Sequence, residues 1–180
     1  HPGFRNEWWY FTGNLFDATG RRYGFQFTLF RFAVEPGERP DSDFASDAIW
    51  MAHFAVSDVA RARFNSAERF ARDALGLAGA TADEWWLRDW TVTRTEEGWR
   101  LRAQMDGASL DLDLAPRKPV VLQGDSGYSR KGPERGNASR YYSITRMAAD
   151  GRVVLDGNAA EVTGSAWLDR EWGSSQLGEG

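Results

Sequence analysis

The residues best suited to chemistry lie near the end of the chain, where Asp169 and Glu171 are separated by one residue. Strand-like alternation would place both carboxyl groups on one face together with Trp167. If that face lines a cavity walled by tryptophan, the two groups compete for ionisation and one keeps its proton near neutral pH. Such an acid could protonate a carbon–carbon double bond. The alternative is a pair of solvated acids, or acids bonded to Arg31 or Arg146.

A second pair of charged residues lies on faces that should be apolar. Glu7 shares its face of a predicted strand with Trp9 and Phe11, and Arg31 shares its face of the next strand with Phe27. An inward-facing Glu and Arg on adjacent strands are predicted to pair. Because a buried ion pair is costly to desolvate, this one indicates either an internal pair that fixes the strand register or a polar pocket.

Other catalytic and metal-binding residues are few. The chain has two histidines and no cysteine, which excludes a cysteine nucleophile, a disulfide, a thiolate metal site and a histidine-rich metal site. The sequence contains no phosphate-binding or dinucleotide-binding fingerprint, so we expect neither metal nor cofactor. His53 lies in an apolar stretch and is predicted to be a core or pocket-lining residue. The segment Gly124-Asp125-Ser126-Gly127 is similar to a protease nucleophile segment, but its flanking sequence is not.

Composition narrows the class of protein. A chain of 180 residues is most simply one domain with a sizeable core. A net charge of -4 argues against a nucleic-acid partner, and no apolar run reaches the ~18 residues of a transmembrane span. Nine Trp, eleven Phe and five Tyr indicate either an aromatic core or an aromatic-lined ligand cavity.

The elements that must position these residues are strands, because apolar residues recur with a period of two. Glycine-bearing turns such as Asp17 to Gly20, Asp106-Gly107 and Asp150-Gly151 separate the runs. The stretch from Asp58 to Leu75 also fits a helix. Two segments, Glu35 to Phe44 and Gly124 to Asn137, are predicted to be long loops. The predicted strands cover residues 7–16, 21–33, 48–57, 62–71, 85–95, 98–106, 108–115, 139–148, 151–157 and 159–172. The fold class is therefore an all-β, antiparallel barrel of about ten strands.

Several segments are more specific than generic strand sequence. They are Glu7-Trp8-Trp9-Tyr10-Phe11-Thr12-Gly13, Tyr23-Gly24-Phe25-Gln26, Asn137 to Ser143 and Ala166-Trp167-Leu168-Asp169-Arg170-Glu171-Trp172-Gly173. In this order, they resemble the AttH and carotenoid 1,2-hydratase (hydroxyneurosporene synthase) family. The resemblance implies that residues 1–180 form a lipocalin-like, or calycin-like, domain. It also implies a second lipocalin-like domain C-terminal to this one, a trimmed leader, and a periplasmic or secreted bacterial protein.

The resemblance also implies chemistry. The hydratase branch of that family adds water to an isolated double bond of an apolar isoprenoid or carotenoid without a cofactor, through protonation and a carbocation. Asp169 and Glu171 are then the expected catalytic acids. The expected substrate-binding residues are Trp9, Trp167, Trp172, Arg170, Tyr142 and His53. Family members commonly carry His where this chain has Arg170, and arginine cannot shuttle protons near neutral pH.

Two other functions fit the same sequence. Many family members are labelled as secreted hydrolases, although this chain has no complete set of nucleophile, base and orienting residue. A non-catalytic carrier of lipids or small molecules is the usual role of a lipocalin-like barrel.

Overall fold

The structure is a computed structural model that describes residues 1, 3–34, 42, 44–133 and 136–174. This part of the chain forms thirteen β-strands and one 3-10 turn, Ala74–Gly76. The strands are β1 (Asn6–Asp17), β2 (Arg22–Ala33), β3 (Ala48–Asp58), β4 (Arg63–Arg72), β5 (Ala78–Ala80), β6 (Glu84–Leu87), β7 (Trp90–Arg94), β8 (Trp99–Met105), β9 (Ala108–Pro116), β10 (Val121–Leu122), β11 (Tyr128–Arg130), β12 (Ala138–Leu155) and β13 (Asn158–Gly173). Most of the predicted loop Glu35 to Phe44 lies outside the described residues.

The strands form one antiparallel sheet that curls into a nearly closed barrel. Its hydrogen-bonded order is β4-β3-β2-β1-β13-β12-β9-β8-β7-β6-β5, and β10 and β11 both pair with β12. The predicted all-β, lipocalin-like barrel is confirmed, with thirteen strands in the described residues instead of ten. The additional strands β5, β10 and β11 have only two or three residues each, too few for alternation to be visible.

The predicted turn at Asp150-Gly151 is wrong, because β12 runs through it without a break. Gly151 adopts a φ of 150°, and a Cβ at this position would lie 2.2 Å from the Asp111 carbonyl oxygen. The glycine therefore permits a close approach to β9. The hairpin turn lies at Asp156 and Gly157, which both have positive φ, as a tight type I′ connection requires.

The stretch that also fitted a helix is the edge strand β4. It pairs with β3 along its whole length, and its residues alternate between exposed and half-buried. Phe64 and Phe70 point outward and Ala67 packs against the core. Pairing with β3 therefore outweighs the helical preference of the alanines.

The barrel interior is a layer of fully buried apolar side chains. Phe11, Phe27 and Phe54 are cross-strand neighbours on β1, β2 and β3, and each is at most 1% exposed. Leucines from β8, β9 and β13 complete this layer, including Leu101, Leu112 and Leu168, the cross-strand neighbour of Phe11. Each such burial stabilises the fold by about 1.5–3 kcal/mol.

Side chains close the seam between the ends of the sheet. Arg69 of β4 donates to Asp89 in the β6–β7 turn and to the Gln104 carbonyl oxygen on β8. Its guanidinium also lies 4.2 Å from the ring centroid of Trp90. One arginine thus ties the edge strand β4 to the far side of the barrel.

Replacing Arg69 by alanine should therefore destabilise the protein by about 1–2 kcal/mol, through loss of a cation–π contact and of two charge-assisted hydrogen bonds. Urea denaturation of the wild-type protein and the variant measures this difference. The exposed Arg72→Ala on the same strand is the matched control, expected within about 0.5 kcal/mol of wild type. Equal losses in the two variants would show that the seam does not depend on Arg69.

A buried carboxylate at one end of the barrel makes stability depend on pH. The Arg21 guanidinium hydrogen-bonds both carboxylate oxygens of Asp58, which is 2% exposed. This contact holds the pKa of Asp58 below its ordinary value, against the opposing effect of burial. The contribution to stability is complete above the unfolded aspartate pKa of about 3.9 and disappears as the pH falls through the lowered folded pKa.

The loss of stability caused by Asp58→Asn should therefore be large at pH 7 and should shrink as the pH falls below about 4. Chemical denaturation at a series of pH values measures it. The exposed Asp106→Asn variant controls for removal of a surface carboxylate. A difference between wild type and Asp58→Asn that stays constant down to strongly acidic pH would contradict this assignment.

Candidate active site

The last strand, β13, carries candidate residues on both of its faces. Val162, Ala166 and Leu168 are buried in the core, which fixes their face as the inner one. Arg170 and Trp172 continue this inner face, and Asp169 and Glu171 therefore lie on the outer face. The two acids do not line a tryptophan-walled cavity inside the barrel.

The inner face brings a buried ion pair together at one end of the barrel. The side chain of Glu7 is 0% exposed, and Arg170 Nη2 donates to Glu7 Oε1 at 2.8 Å. The His1 ring Nδ1 lies 2.7 Å from Glu7 Oε1. Glu7 is thus hydrogen-bonded by partners from both ends of the chain, as a buried acidic side chain requires.

The predicted ion pair between Glu7 and Arg31 is not the contact that forms. The two residues are cross-strand neighbours on the inner face, as predicted, and Arg31 is 8% exposed. Among the described residues, however, Glu7 pairs with Arg170 and His1, while Arg31 donates to the Phe4 carbonyl oxygen at 3.0 Å. The long β1–β13 ladder brings Arg170 to the same carboxylate, which strand order alone does not reveal.

Indole rings surround the arginine of this pair. Arg170 Cζ lies 5.2 Å from the ring centroids of both Trp9 and Trp85, and 5.5 Å from that of Trp172. Trp9 in turn stacks on Trp50 at 6.0 Å. We call Trp9, Trp50, Trp85 and Arg170 the inner tryptophan cluster. Because its arginine is permanently charged, this cluster suits binding better than proton transfer.

The outer face carries a different arrangement. Ser143 of β12, which is 0% exposed, donates to Asp169 Oδ1 and accepts from Gln123 Nε2 at 2.9 Å. Tyr10 of β1 is the cross-strand neighbour of Asp169 on its other side. Among the described residues, Asp169 has no cationic partner.

Glu171 has a cationic partner. Lys131 Nζ lies 2.7 Å from Glu171 Oε1 and 5.4 Å from the ring centroid of Tyr141. Lys131 directly follows β11, a short strand inside the predicted loop, which pairs with β12. Burial raises the pKa of Tyr141, and the negative charge of Asp169 raises it further, so its hydroxyl stays protonated. We call Tyr141, Ser143, Asp169 and Glu171 the outer acid cluster.

An apolar row leads across the barrel surface to this cluster. Cross-strand pairing aligns Phe70, Met51, Phe30 and Trp8 on four neighbouring strands, followed by Glu171. Phe70 is 54% exposed, and the other three are half-buried. An elongated apolar molecule would find a continuous surface that ends at the acids.

The remaining predicted site residues divide between the two faces. Tyr142 and Trp172 meet edge to face at 6.1 Å beside Arg170 on the inner face. Trp167 lies on the outer face and is 37% exposed. His53 also lies on the outer face, where it pairs with Glu68 at 2.7 Å, and three strand spacings separate it from Asp169. His53 therefore belongs to neither the inner tryptophan cluster nor the outer acid cluster.

Comparison with known proteins agrees with this fold. The model of the AttH-like family matches residues 1–180. The chain belongs to the AttH-like family. A crystal structure of a protein from Nitrosomonas europaea assigned to AttH superposes with a TM-score of 0.88 and 40% identity, over 98% of this chain and 54% of that one. No match was found among curated proteins.

A more distant solved structure shares the fold alone. Kievitone hydratase from Nectria haematococca superposes with a TM-score of 0.69 at 10% identity, over 93% of this chain and 48% of that one. This AttH-like chain thus spans about half the length of both solved proteins.

The described residues of the AttH-like chain also show whether it holds a serine–histidine pair, a metal site or a membrane-spanning helix. No serine hydroxyl there is hydrogen-bonded to a histidine, and Ser126 contacts Asp125 at 3.4 Å in an exposed turn. No group of three or more acidic or histidine side chains is placed to hold a metal ion within the described residues. The same residues include no helix with the length and apolarity that crossing a bilayer needs.

Sequence reasoning missed several residues of the AttH-like site. Tyr141 and Ser143 lie in the segment that carries the family resemblance, and their alternation with Tyr142 could have placed them opposite the acids. Lys131 is one of only two lysines, but the sequence around it does not indicate that it pairs with Glu171. Trp50 and Trp85 reach the inner tryptophan cluster from β3 and β6, which no local pattern reveals.

Proposed function

We propose that this AttH-like chain supplies the general acid of a cofactor-independent hydratase or isomerase that acts on an apolar, isoprenoid-like substrate. The observation that carries the proposal is the half-buried carboxyl group of Asp169, which lies beside Ser143 and Tyr141 without a cationic partner among the described residues. Such a carboxyl group can pass a proton to a substrate without breaking an ion pair.

The other members of the outer acid cluster have distinct roles in this proposal. Ser143, itself held by Gln123, fixes one oxygen of Asp169, and the Tyr141 hydroxyl lies beside the same carboxyl group. Glu171 is ion-paired with Lys131. Its negative charge and the rings of Trp8 and Tyr141, whose centroids are 5.8 Å apart, favour a positively charged intermediate.

The proposed reaction balances without an added reagent. The Asp169 hydroxyl proton passes to one carbon of the double bond, and the π electrons form the new C–H bond, which leaves a carbocation on the other carbon. In hydration, a water oxygen attacks that carbon and the resulting oxonium returns a proton to the Asp169 carboxylate. In isomerisation, the carboxylate removes a proton from a neighbouring carbon instead.

Two features support this reaction class. Kievitone hydratase has the same fold, which is a precedent for a hydratase on this architecture and identifies no residue. The apolar row from Phe70 to Trp8 ends beside Glu171, which suits an elongated hydrocarbon.

A carbocation also needs a site from which bulk water is excluded. We propose that a second lipocalin-like domain covers the outer acid cluster. The lengths of the two solved proteins support this proposal, because each protein is about twice as long as the part that matches this chain. The active site of the whole protein would then lie between two barrels.

Extraction of the gently purified full-length protein with organic solvent, followed by mass spectrometry, tests the substrate class. Each recovered or supplied isoprenoid is then incubated with the protein in heavy-oxygen water or in deuterium oxide. Hydration predicts a product heavier by one labelled water, and isomerisation predicts deuterium on carbon without oxygen uptake. The proposal fails if no label enters any apolar alkene.

A further inference from the structure

Three buried hydrogen-bond donors of the inner tryptophan cluster have no partner among the described residues. They are Trp9 Nε1, Trp50 Nε1 and Arg170 Nε. Trp9 is 1% exposed and Trp50 is 3% exposed, so bulk solvent does not reach these rings. Other indoles of the chain are satisfied: Trp90 Nε1 donates to the Gln104 carbonyl oxygen at 2.6 Å, and Trp86 Nε1 donates to that of Gly76 at 3.0 Å.

Such donors indicate an acceptor that belongs to another molecule. Buried polar groups are hydrogen-bonded in nearly all native proteins, so each exception calls for an explanation, such as a functional role or a bound water or ion. Here, three exceptions occur in one cluster, with the Trp9 ring 6.0 Å from that of Trp50 and 5.2 Å from Arg170 Cζ.

The local charge decides which acceptor fits. Glu7, at 2.8 Å from Arg170, already balances the guanidinium and would repel a second carboxylate. A neutral oxygen, such as a carbonyl or a hydroxyl, accepts from an indole N–H without that repulsion. The aromatic walls formed by Trp9, Trp50 and Trp85 suit an otherwise apolar molecule.

We propose that the inner tryptophan cluster is a binding site for the neutral oxygen end of an apolar ligand, a ketone or an alcohol. The site lies on the opposite face of β13 from the outer acid cluster, so it goes beyond the proposed function and can be tested without any turnover. Alternate side chains of one short segment, Asp169 to Trp172, would then serve two separate sites on opposite faces of the strand.

Equilibrium dialysis of the purified protein with three probes of equal chain length tests the site: decyl methyl ketone, dodecane and dodecanoate. The ketone should bind at least about fivefold more tightly than dodecane, as expected for one or two net hydrogen bonds. Dodecanoate should bind no more tightly than the ketone, because Glu7 opposes its charge. This comparison uses the wild-type protein and does not depend on the folding of any variant.

A matched pair of variants then locates the acceptor. Trp50→Phe keeps an aromatic ring but removes one donor, and should reduce the preference for ketone over dodecane by about threefold or more. Trp86→Phe removes an indole N–H that is already bonded to Gly76, and should leave the preference unchanged. Equal binding of ketone and dodecane, or no binding of either, would mean that the donors hold only solvent and would overturn the proposal. A strong preference for dodecanoate would overturn the assignment of a neutral acceptor.

Discussion

Replacing Glu7 by leucine is expected to lower the free energy of unfolding by about 3–5 kcal/mol, the usual cost of leaving a buried charge without its partner. The substitution removes a fully buried carboxylate and leaves the Arg170 guanidinium among indole rings without its anion. Cation–π contacts with Trp9 and Trp85 offset only part of the cost of keeping the Arg170 charge away from water without its anion. Urea or guanidinium denaturation, monitored by far-UV circular dichroism, measures the difference.

A double substitution separates the uncompensated charge from the loss of packing. Glu7→Leu combined with Arg170→Met removes both charges and should recover most of the lost stability, because apolar replacements of a buried pair are often neutral. Arg63→Met, which breaks an exposed pair with Asp156, is the control and should cost at most about 1 kcal/mol. If the double variant is as unstable as the single one, the ion pair is not the cause.

Replacing Asp169 by asparagine is expected to reduce kcat/KM by about two to four orders of magnitude, the usual contribution of a general acid. Asparagine retains the shape and can still accept from Ser143, but it has no proton of suitable acidity to give. The fold should be unchanged, because Asp169 lies on the outer face of β13 away from the core. The assay is the labelled-water reaction with whichever isoprenoid is converted.

Two further variants show whether the effect belongs to the acid itself. Glu171→Gln leaves Lys131 without its anion and should reduce turnover about tenfold, a smaller loss because no proton transfer is removed. Glu161→Gln changes an exposed acid of the same strand, whose ion-pair partner among the described residues is Arg152, and should leave turnover intact. Full activity in both Asp169→Asn and Glu171→Gln would rule out general acid catalysis by this cluster.

Alternation along single strands was sufficient to predict much of this arrangement. The inward position of Glu7 follows from its sharing a face with Trp9 and Phe11, and the inward position of Arg31 follows in the same way from Phe27. The division of β13 into two faces also follows from alternation. Which of those faces is inward could have been read from Val162, Ala166 and Leu168, because aliphatic side chains at successive alternate positions mark a core face more reliably than a single tryptophan.

Contacts between distant strands could not be predicted in this way. Glu7 has arginines within reach on both neighbouring strands, and one of them, Arg170, is 163 residues away in sequence. Choosing between them requires the relative position of β1 and β13, which depends on the packing of the whole barrel. Lys131 reaches Glu171 because β11, with three residues, pairs with β12, and three residues show no period.

The seam between β4 and β5, which Arg69 spans, is where the barrel should open locally. The hydrogen-bonded sheet ends at β4 on one side and β5 on the other, whereas β1, β13 and β12 have bonded neighbours along both edges. Backbone amides of β4 and β5 should therefore exchange with deuterium well before those of β1 and β13, through local openings far smaller than global unfolding. The outer acid cluster lies on β12 and β13, in the slowest-exchanging part of the molecule, so the barrel can open locally at its seam while that cluster keeps its geometry.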